Sequence, residues 1–404
     1  MGIGISLLSE KTCAMKKIAV ALLLGFFFAQ PTYADGLPQR FIVTGSGFGH
    51  GVGLSQMGAR GLALEGKSAT DILNYFFPGT TIQQSVLNQV IRVNVAHSVT
   101  YTSITANGPI RIQKSGVGLA NVLPGSALKL VSVGKVVSPS IVTKGAPTTV
   151  IPGASLFTLA WDAGTIVTVN SSGTTIKLAY GTINVRNVSA KLEVTTSLKL
   201  DTEYIYGISE MSSAWPAAAI QSQAIAARTY GLARMNAVRK DCDCNLYATK
   251  YDQVFTGFAK ESEAKVGSLW KSAVDATSGM VVTYNGAPIN MYFSSSSGGV
   301  TQTSADVWGT SYPYLTNVPD PWSLDIVLNP SYAHWQRVLP QRDVAAAFGL
   351  SDISSIKIDS YSSAHAVLSL TAMSSTGQSK TLSVSDFKVK LKIPASWFEI
   401  TANN

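Results

Sequence analysis

Between about Val90 and Leu200 the chain alternates Val, Ile and Thr with Ser and Lys, and turn pairs such as Asn107-Gly108 and Pro152-Gly153 interrupt the run. A period of two is the pattern of half-buried strands, so a wholly helical fold is excluded for a large part of the molecule. The stretch is sparse in charge and holds no catalytic constellation. It is predicted to be a β-rich module, 90–200, serving as scaffold or accessory. Helical patterns flank it on both sides. The fold class expected is therefore α+β: a mixed, β-rich fold with a catalytic helical segment and a cleft, plus the inserted or accessory module. At 404 residues the chain can bury a substantial core as one large or two intimate domains.

Charged residues make up 13% of the chain, against about 25% in an average soluble protein. That deficit, with so much Thr, Val and Ser, suits an exported β-rich protein better than a cytosolic helical enzyme. Residues 1–34 read as a signal peptide. Lys16-Lys17 precedes the apolar run Ile18–Ala29, and Thr32-Tyr33-Ala34 ends in a small residue before Asp35. Met15 offers an alternative start, so residues 1–14 can be a gene-model extension. The Gly2 and Ser6 pair fits a myristoylation pattern but is set aside beside an export signal. The apolar run is too short for a membrane span, and no later segment reaches about 18 unbroken apolar residues, so the mature chain is expected to have no transmembrane segment. Export would place it outside the membrane, secreted or at the cell wall.

Losing the leader removes Lys11, Lys16, Lys17 and Glu10, lowering the formal charge from +8 to about +6. A basic exported protein is drawn to acidic polymers, although charge kept for solubility explains the same balance. Nucleic acid is not an expected partner, because no block of Lys/Arg with interleaved aromatics appears. Cys13 leaves with the leader, so Cys242 and Cys244 remain. They can be free thiols, a labile disulfide across a very small ring, or two of the four ligands that a zinc ion needs. No cofactor is expected, and zinc at Cys242/Cys244 lacks identifiable partners.

Outside the module, Arg40–Thr44 reads as a strand running into Gly45-Ser-Gly47-Phe-Gly49-His50-Gly51-Val-Gly53 and then a helix, Leu54–Leu64. The glycine spacing is not that of a dinucleotide fingerprint, since His50 and Leu54 fall where glycine is required. A second helix is predicted over Ala69–Phe77, with Ser68 as N-cap and Asp71 three residues on, closed by Pro78-Gly79. Pro216 suits the first turn of an alanine-rich helix whose Ile220, Ala224, Ala227 and Gly231 form a narrow packing face. A further helix is predicted over Glu261–Thr277, stopping at Gly279. Met280–Tyr284 and Ala287–Phe293 read as a hairpin about Asn285-Gly286, delivering Tyr292 and the loop Ser294–Gly299 to one end of a sheet. The tail returns to strands at Ser355–Asp359, Ala366–Ala372 and Lys380–Val384.

At Tyr204-Ile-Tyr206-Gly207-Ile-Ser-Glu210-Met211, Trp215-Pro216 and Gln221-Ser-Gln223-Ala-Ile-Ala-Ala-Arg228-Thr229-Tyr230 the sequence resembles the stage II sporulation protein D family, SpoIID/LytB. Further matching blocks are Asp252-Gln253-Val254-Phe255-x-Gly257, Ala273–Gly279, Tyr292-x-Ser294-x-Ser296-x-Gly298-Gly299 and Val307-Trp308-Gly309 with Pro313-Tyr314-Leu315. Gly45–Ala63 matches the family's glycine-histidine block, including His50 and Gln56. Together the blocks cover most of 41–80 and 200–320, and residues 90–200 resemble the family only faintly.

The sequence departs from the family in three ways. Ser212 replaces a usual proline, and Gln221 replaces a usual lysine. The glycine-histidine block opens the mature chain instead of following the terminal β segment. That order is a circular shift, which requires Phe41-Ile-Val43 and Trp397-Phe-Glu-Ile400 to lie near each other. The implied division is a glycine/histidine segment, 35–89, packing on a SpoIID-like catalytic domain, 201–404, with 90–200 between them.

The resemblance implies a peptidoglycan lytic transglycosylase, cutting the muramic acid–glucosamine bond of cell-wall glycan strands. A hydrolytic glycosidase needs two carboxylates. In the lytic reaction the sugar's own 6-hydroxyl attacks, so one group can protonate the leaving oxygen and then accept the hydroxyl proton. Glu210 is the candidate, with Trp215, Tyr204 and Tyr206 as desolvating walls. The bland alternative is a structural carboxylate paired with Arg228.

Substrate-binding candidates are Arg228, Gln223, Gln221, Tyr292, Ser296, His50 and Gln56. For His50 the competing role is fastening its own glycine-rich turn. The serine run is not a nucleophile, since no His/Asp partner or G-x-S-x-G accompanies it. His97, His334 and His365 are read as ordinary packing or surface residues. The LytB resemblance keeps open a non-catalytic enhancer whose partner is a cell-wall amidase, and a glycan-binding scaffold is the third reading.

Overall fold

A computed structural model describes residues 36–403, so the signal peptide expected at 1–34 lies outside the described residues. The protein is α+β and β-rich. Two antiparallel sheets carry the stretch that the period-two pattern marked. One has six strands and is built on Tyr101–Ala106, Ser126–Val133, Val136–Thr143 and Val167–Ser171. The other has seven and is built on Val90–Val99, Ile110–Lys114, Leu156–Trp161, Thr182–Val188 and Lys191–Lys199. Alternation of burial, strict in Leu156–Trp161 and in Val167–Ser171, turns one face of such strands to a common core. The first and last strands of this stretch are partners, with Val90 opposite Lys199. The chain therefore enters and leaves it at one place, and the seven-stranded sheet also takes in Leu246–Tyr247, parallel to Val90–Val99.

The helices around it follow local rules. Helix α1 (Gln56–Leu64) starts at Ser55, whose hydroxyl accepts from the amide of Gly58. Helix α2 (Ala69–Phe76) has the expected reciprocal capping box between Ser68 and Asp71. Helix α3 (Ala217–Ala233) follows Pro216 and is buried over nearly all its circumference, not along one narrow face. Its alanines let α1, α2 and the later helix α5 pack closely about it, so it forms the axis of this half.

The helix expected over Glu261–Thr277 is two pieces, α4 (Phe258–Glu261) and α5 (Gly267–Ala276). The chain folds back so tightly between them that a Cβ on Gly267 would stand 2.2 Å from the carbonyl oxygen of Glu261. The hairpin about Asn285-Gly286 forms, but its second strand ends at Pro288. Phe293–Ser294 pairs instead with Leu54–Ser55, in parallel. Helix α6 (Ser304–Trp308) follows the serine-glycine loop.

A second, separate core is built from both ends of the described chain. Arg40–Ser46 lies between Trp335–Pro340 and Trp397–Asn403, antiparallel to both, with Val43 opposite Ile400 and Gly45 opposite Phe398. The adjacency required by the shifted motif order is thus present as direct strand pairing. Helices α7 (Gln341–Phe348) and α8 (Val384–Leu391) pack on a three-stranded sheet of Ser355–Tyr361, Val367–Met373 and Ser379–Ser383 to complete this core. The glycine-rich turn 45–53 carries the chain from the second core to the first, so His50 stands at their junction.

Candidate functional site

A cavity of about 480 Å³ opens beside the glycine-rich turn, and it gathers side chains far apart in sequence. The turn supplies Phe48, Gly49 and His50, α1 supplies Gln56, and the lead-in to α3 supplies Glu210. Tyr230 of α3, the loop Lys250–Asp252, the run Met291–Ser295 and Trp308 at the end of α6 close the rest.

The turn is held by its backbone. Phe48 exchanges hydrogen bonds with Ser296, and Gly49 N–H donates to the carbonyl of Pro394 in the tail. Gly53 has a φ of +75°, and a side chain there would meet the Tyr292 carbonyl oxygen at 2.3 Å, so only glycine allows the turn to lie this close to the 291–295 run. His50 Nδ1 accepts from the amide of Val52 at 3.0 Å, and its carbonyl accepts from Gln302 Nε2. Desolvation first, then the nearby Lys388 ammonium, pushes the imidazole down to about 4, against a backbone hydrogen bond at Phe293 that favours its charge. His50 is therefore a neutral ring near pH 7 that both fastens its turn and lines the cavity.

Glu210 lies in a non-helical lead-in paired to the strand-like segment Val254–Phe255. Ser209 N–H donates to the carbonyl of Val254, and Val254 N–H donates to Glu210 Oε1 at 2.5 Å. Lys260, itself desolvated, donates to the carbonyl of Met211 and steadies the next residue. Among the described residues that single amide is the carboxyl's hydrogen-bond partner, and no cation pairs with it. Burial raises its pKa, with the Val254 amide opposing in part. A partly dry carboxyl facing a cavity keeps its proton to a higher pH than an exposed one and can give it up to a ligand.

Asp252 is the other carboxylate of the cavity wall, and its oxygens are committed. Arg239 binds it through Nη1 at 2.5 Å and Nη2 at 2.9 Å, Tyr230 donates its hydroxyl at 2.9 Å, and Tyr247 donates its amide at 2.8 Å. A carboxylate whose oxygens accept four hydrogen bonds is committed to structure. It fixes Tyr230, whose hydroxyl is pushed well above its ordinary range, mainly by burial.

Several expected site residues stand elsewhere. Arg228 is 0% exposed. It pairs with Asp201 at 2.6 Å and donates to the carbonyls of Met280 and Val274, so it fastens the core and does not reach a ligand or Glu210. The expected substrate contact is corrected, and so is the alternative Glu210 pair: an arginine with five donors was better satisfied inside, by a carboxylate and backbone carbonyls. Gln223 is sealed, and its Oε1 accepts from Gln56 Nε2 at 3.1 Å, so it holds Gln56 against the cavity without lining it. Gln221 is half-buried and outside the lining. Ser296 is buried and accepts from Asn329 Nδ2, while Ser294 and Ser295 take the lining place expected of it.

Tyr292, His50 and Gln56 do line the cavity. Trp215, Tyr204 and Tyr206 do not: Trp215 lies under Arg60, and Tyr206 donates to Asp275. The apolar and aromatic lining comes from Tyr230, Met291, Tyr292 and Phe293, while buried Tyr204 stays close enough to Glu210 to feel its charge. Asp252, Tyr230 and Trp308 line the cavity without being legible as site residues in the sequence, although each lies inside a matched motif block. Exposed Tyr251 and Trp308, at 82% and 45%, stand at the mouth. Cys242 and Cys244 are joined to each other as a disulfide, and no cluster of three or more metal-ligating side chains occurs among the described residues, so the pair does not form a zinc site as arranged. No helix among the described residues is long and apolar enough to cross a membrane.

The sequence profile of the stage II sporulation protein family, SpoIID, matches residues 189–284, a span that includes Glu210, α3, the Arg239–Asp252 loop and the first hairpin strand. An amidase enhancer of Bacillus subtilis (strain 168) is 36% identical over 106 residues, which is 26% of this chain and 13% of that protein. Stage II sporulation protein D of the same organism is 33% identical over 132 residues, 30% of this chain and 38% of that protein. Stage II sporulation protein D of Bacillus amyloliquefaciens is 31% identical over 133 residues, again 30% and 38%. The matches thus span less than two-fifths of each of these relatives. No solved structure matches the chain.

Proposed function

From its place in the SpoIID family, to which it belongs through residues 189–284, we propose that this chain is an exported lytic transglycosylase of peptidoglycan glycan strands with Glu210 as its acid and base. The observation that carries the reading is the condition of that carboxyl: cavity-facing, raised in pKa by burial, held by one backbone amide and paired with no cation among the described residues. Protonated Glu210 gives its proton to the glycosidic oxygen as the bond from muramic acid C1 breaks. The 6-hydroxyl of the same sugar bonds to C1, and its proton returns to the carboxylate. The products are a free glucosamine 4-hydroxyl and a 1,6-anhydromuramic end, with no water consumed. The four donors on Asp252 support this over hydrolysis, since they leave no second carboxylate of the wall free to activate water. Gln56, His50 and Tyr292 offer polar and aromatic contacts for the sugar.

The likeness to a protein named an amidase enhancer favours one second reading, in which the chain stimulates a cell-wall amidase without cutting glycan. Digests of purified glycan, with and without stem peptides, separate the two. Wild type should yield 1,6-anhydromuramic ends and Glu210→Gln essentially none. Amidase stimulation equal in both proteins, with no anhydro ends from either, would replace the first reading by the second.

A further inference from the structure

His50 and Trp308 line the cleft and also a second cavity of about 320 Å³. The second cavity is otherwise built from Gln302 and Asp306 on one side and from Ser385, Lys388 and Ser396 of the tail on the other. Lys388 comes from α8, and its Nζ donates to the carbonyl of Gly49 at 2.9 Å and, more weakly, toward Ser396 Oγ at 3.5 Å. An ammonium has three donors, so one is left over. Arg228 and Lys260, two other cations whose pKa burial lowers, each hold a carboxylate, Asp201 and Glu263. Lys388 has none among the described residues, and burial pushes it down to about 8 with nothing opposing. Asp306, the one carboxylate in the lining, is occupied by Thr303 Oγ1 and by the amide and hydroxyl of Ser363. Gln302, its Nε2 being spent on His50, adds a buried Oε1 without a partner among the described residues, an acceptor for a hydroxyl or N–H beside the ligand's carboxylate and not for the carboxylate itself. A partly buried charge without a counter-ion is unfavourable, and it suits a site whose counter-ion arrives with a ligand.

We propose that this second cavity is a carboxylate-binding subsite adjoining the cleft, with Lys388 as its cation. The inference rests on the glycan reading and deepens it. Each muramic acid bears a lactyl ether whose acid is free in strands stripped of peptide and continues into a carboxylate-bearing stem in strands that are not. Both sources present the same group to Lys388.

The test uses the full chain carrying Glu210→Gln, so that strands bind without being cut, and calorimetry on three ligands: stripped strands, peptide-bearing strands, and stripped strands whose carboxyls have been converted to neutral amides. An acidic strand should bind about tenfold or more tighter than the amidated one, the value of a hydrogen bond to a charged group. Whichever acidic strand shows the preference identifies the source of the carboxylate. Adding Lys388→Met should abolish the preference while leaving the amidated strand's affinity unchanged, and Lys388→Arg should keep it. Equal binding of acidic and amidated strands by the unsubstituted Lys388 protein overturns the subsite alone. So does an equal loss on all strands with Lys388→Met, which would leave Lys388 only as the brace of Gly49. Failure of every strand to bind overturns the glycan reading and the subsite together.

Discussion

Glu193, in the β-rich sheets, and Glu210, in the cleft, are both largely withdrawn from water, yet their surroundings differ. Glu193 accepts from Asn94 Nδ2 at 2.7 Å and from the amide of Ser98 at 2.9 Å, and His97 Nδ1 stands 2.9 Å away. Glu210 has one amide. The first is a buried carboxylate used as a fastener between strands, with its desolvation offset by bonds. The second is left under-bonded, and the raised pKa follows from that. The same contrast runs through the two regions. Regular alternation builds the sheets, while the half around α3 concentrates sealed polar groups, some with unpartnered atoms, such as Gln223 Nε2, Gln253 Oε1 and Asp320 Oδ1. Such groups are costly in a mere scaffold and are expected near a site.

Making the two carboxyls neutral in turn separates their roles with the largest effect. Glu210→Gln should lower the rate of anhydro-end formation by about 10²–10⁴-fold, the range for removing a general acid–base group. Glu193→Gln should leave that rate unchanged, measured on the same strands. The native rate should also fall as pH rises through the raised Glu210 value, because the acid form is consumed.

Next in size is Arg228→Leu, which takes a fully buried cation from its pair with Asp201, still held by Ser278 and Gly279, and should destabilise the fold by about 3 kcal/mol in a denaturant titration. If it instead left stability intact and weakened strand binding, Arg228 would belong to the ligand after all. Glu193→Ala should cost less, about 1–3 kcal/mol, through the donors it leaves unpaired at Asn94 and Ser98.

The smallest effect has the opposite sign. A raised carboxyl pKa means that folding favours the protonated form. The contribution is fully present below the ordinary 4.5 and is lost as pH rises through the folded value. Glu210→Gln cannot ionise, so it should be slightly more stable than the native chain at neutral pH and no more stable below 4.5. Thermal melts across that range check the sign. A lower melting temperature at neutral pH would make Glu210 a structural residue like Glu193.

Much of the framework was legible in the residues because it rests on local rules. The Ser68/Asp71 box, the period-two strands and the Asn285-Gly286 turn each carry their own signal. The pairing of Phe41–Val43 with Trp397–Ile400 was legible only through the shifted motif order. The cleft was less so, because its wall comes from seven places in the chain, and period and spacing do not say which of two motif side chains faces inward. Arg228 and Gln223 sit in a strongly marked helix, yet that helix is buried all round, so a polar residue on it had to be satisfied inside. The break between α4 and α5 escaped for another reason. Lys265 adopts a φ of +70°, a conformation that no local pattern at that position announces.

The account turns on the protonation of one side chain, which can be observed directly by following the side-chain carboxyl carbon of Glu210 with pH in ¹³C-labelled protein, assigned by its loss in Glu210→Gln. The expected midpoint lies clearly above the ordinary 4.5. A midpoint at or below that value would show a carboxylate already ionised at neutral pH, and the single-residue acid–base role would be contradicted.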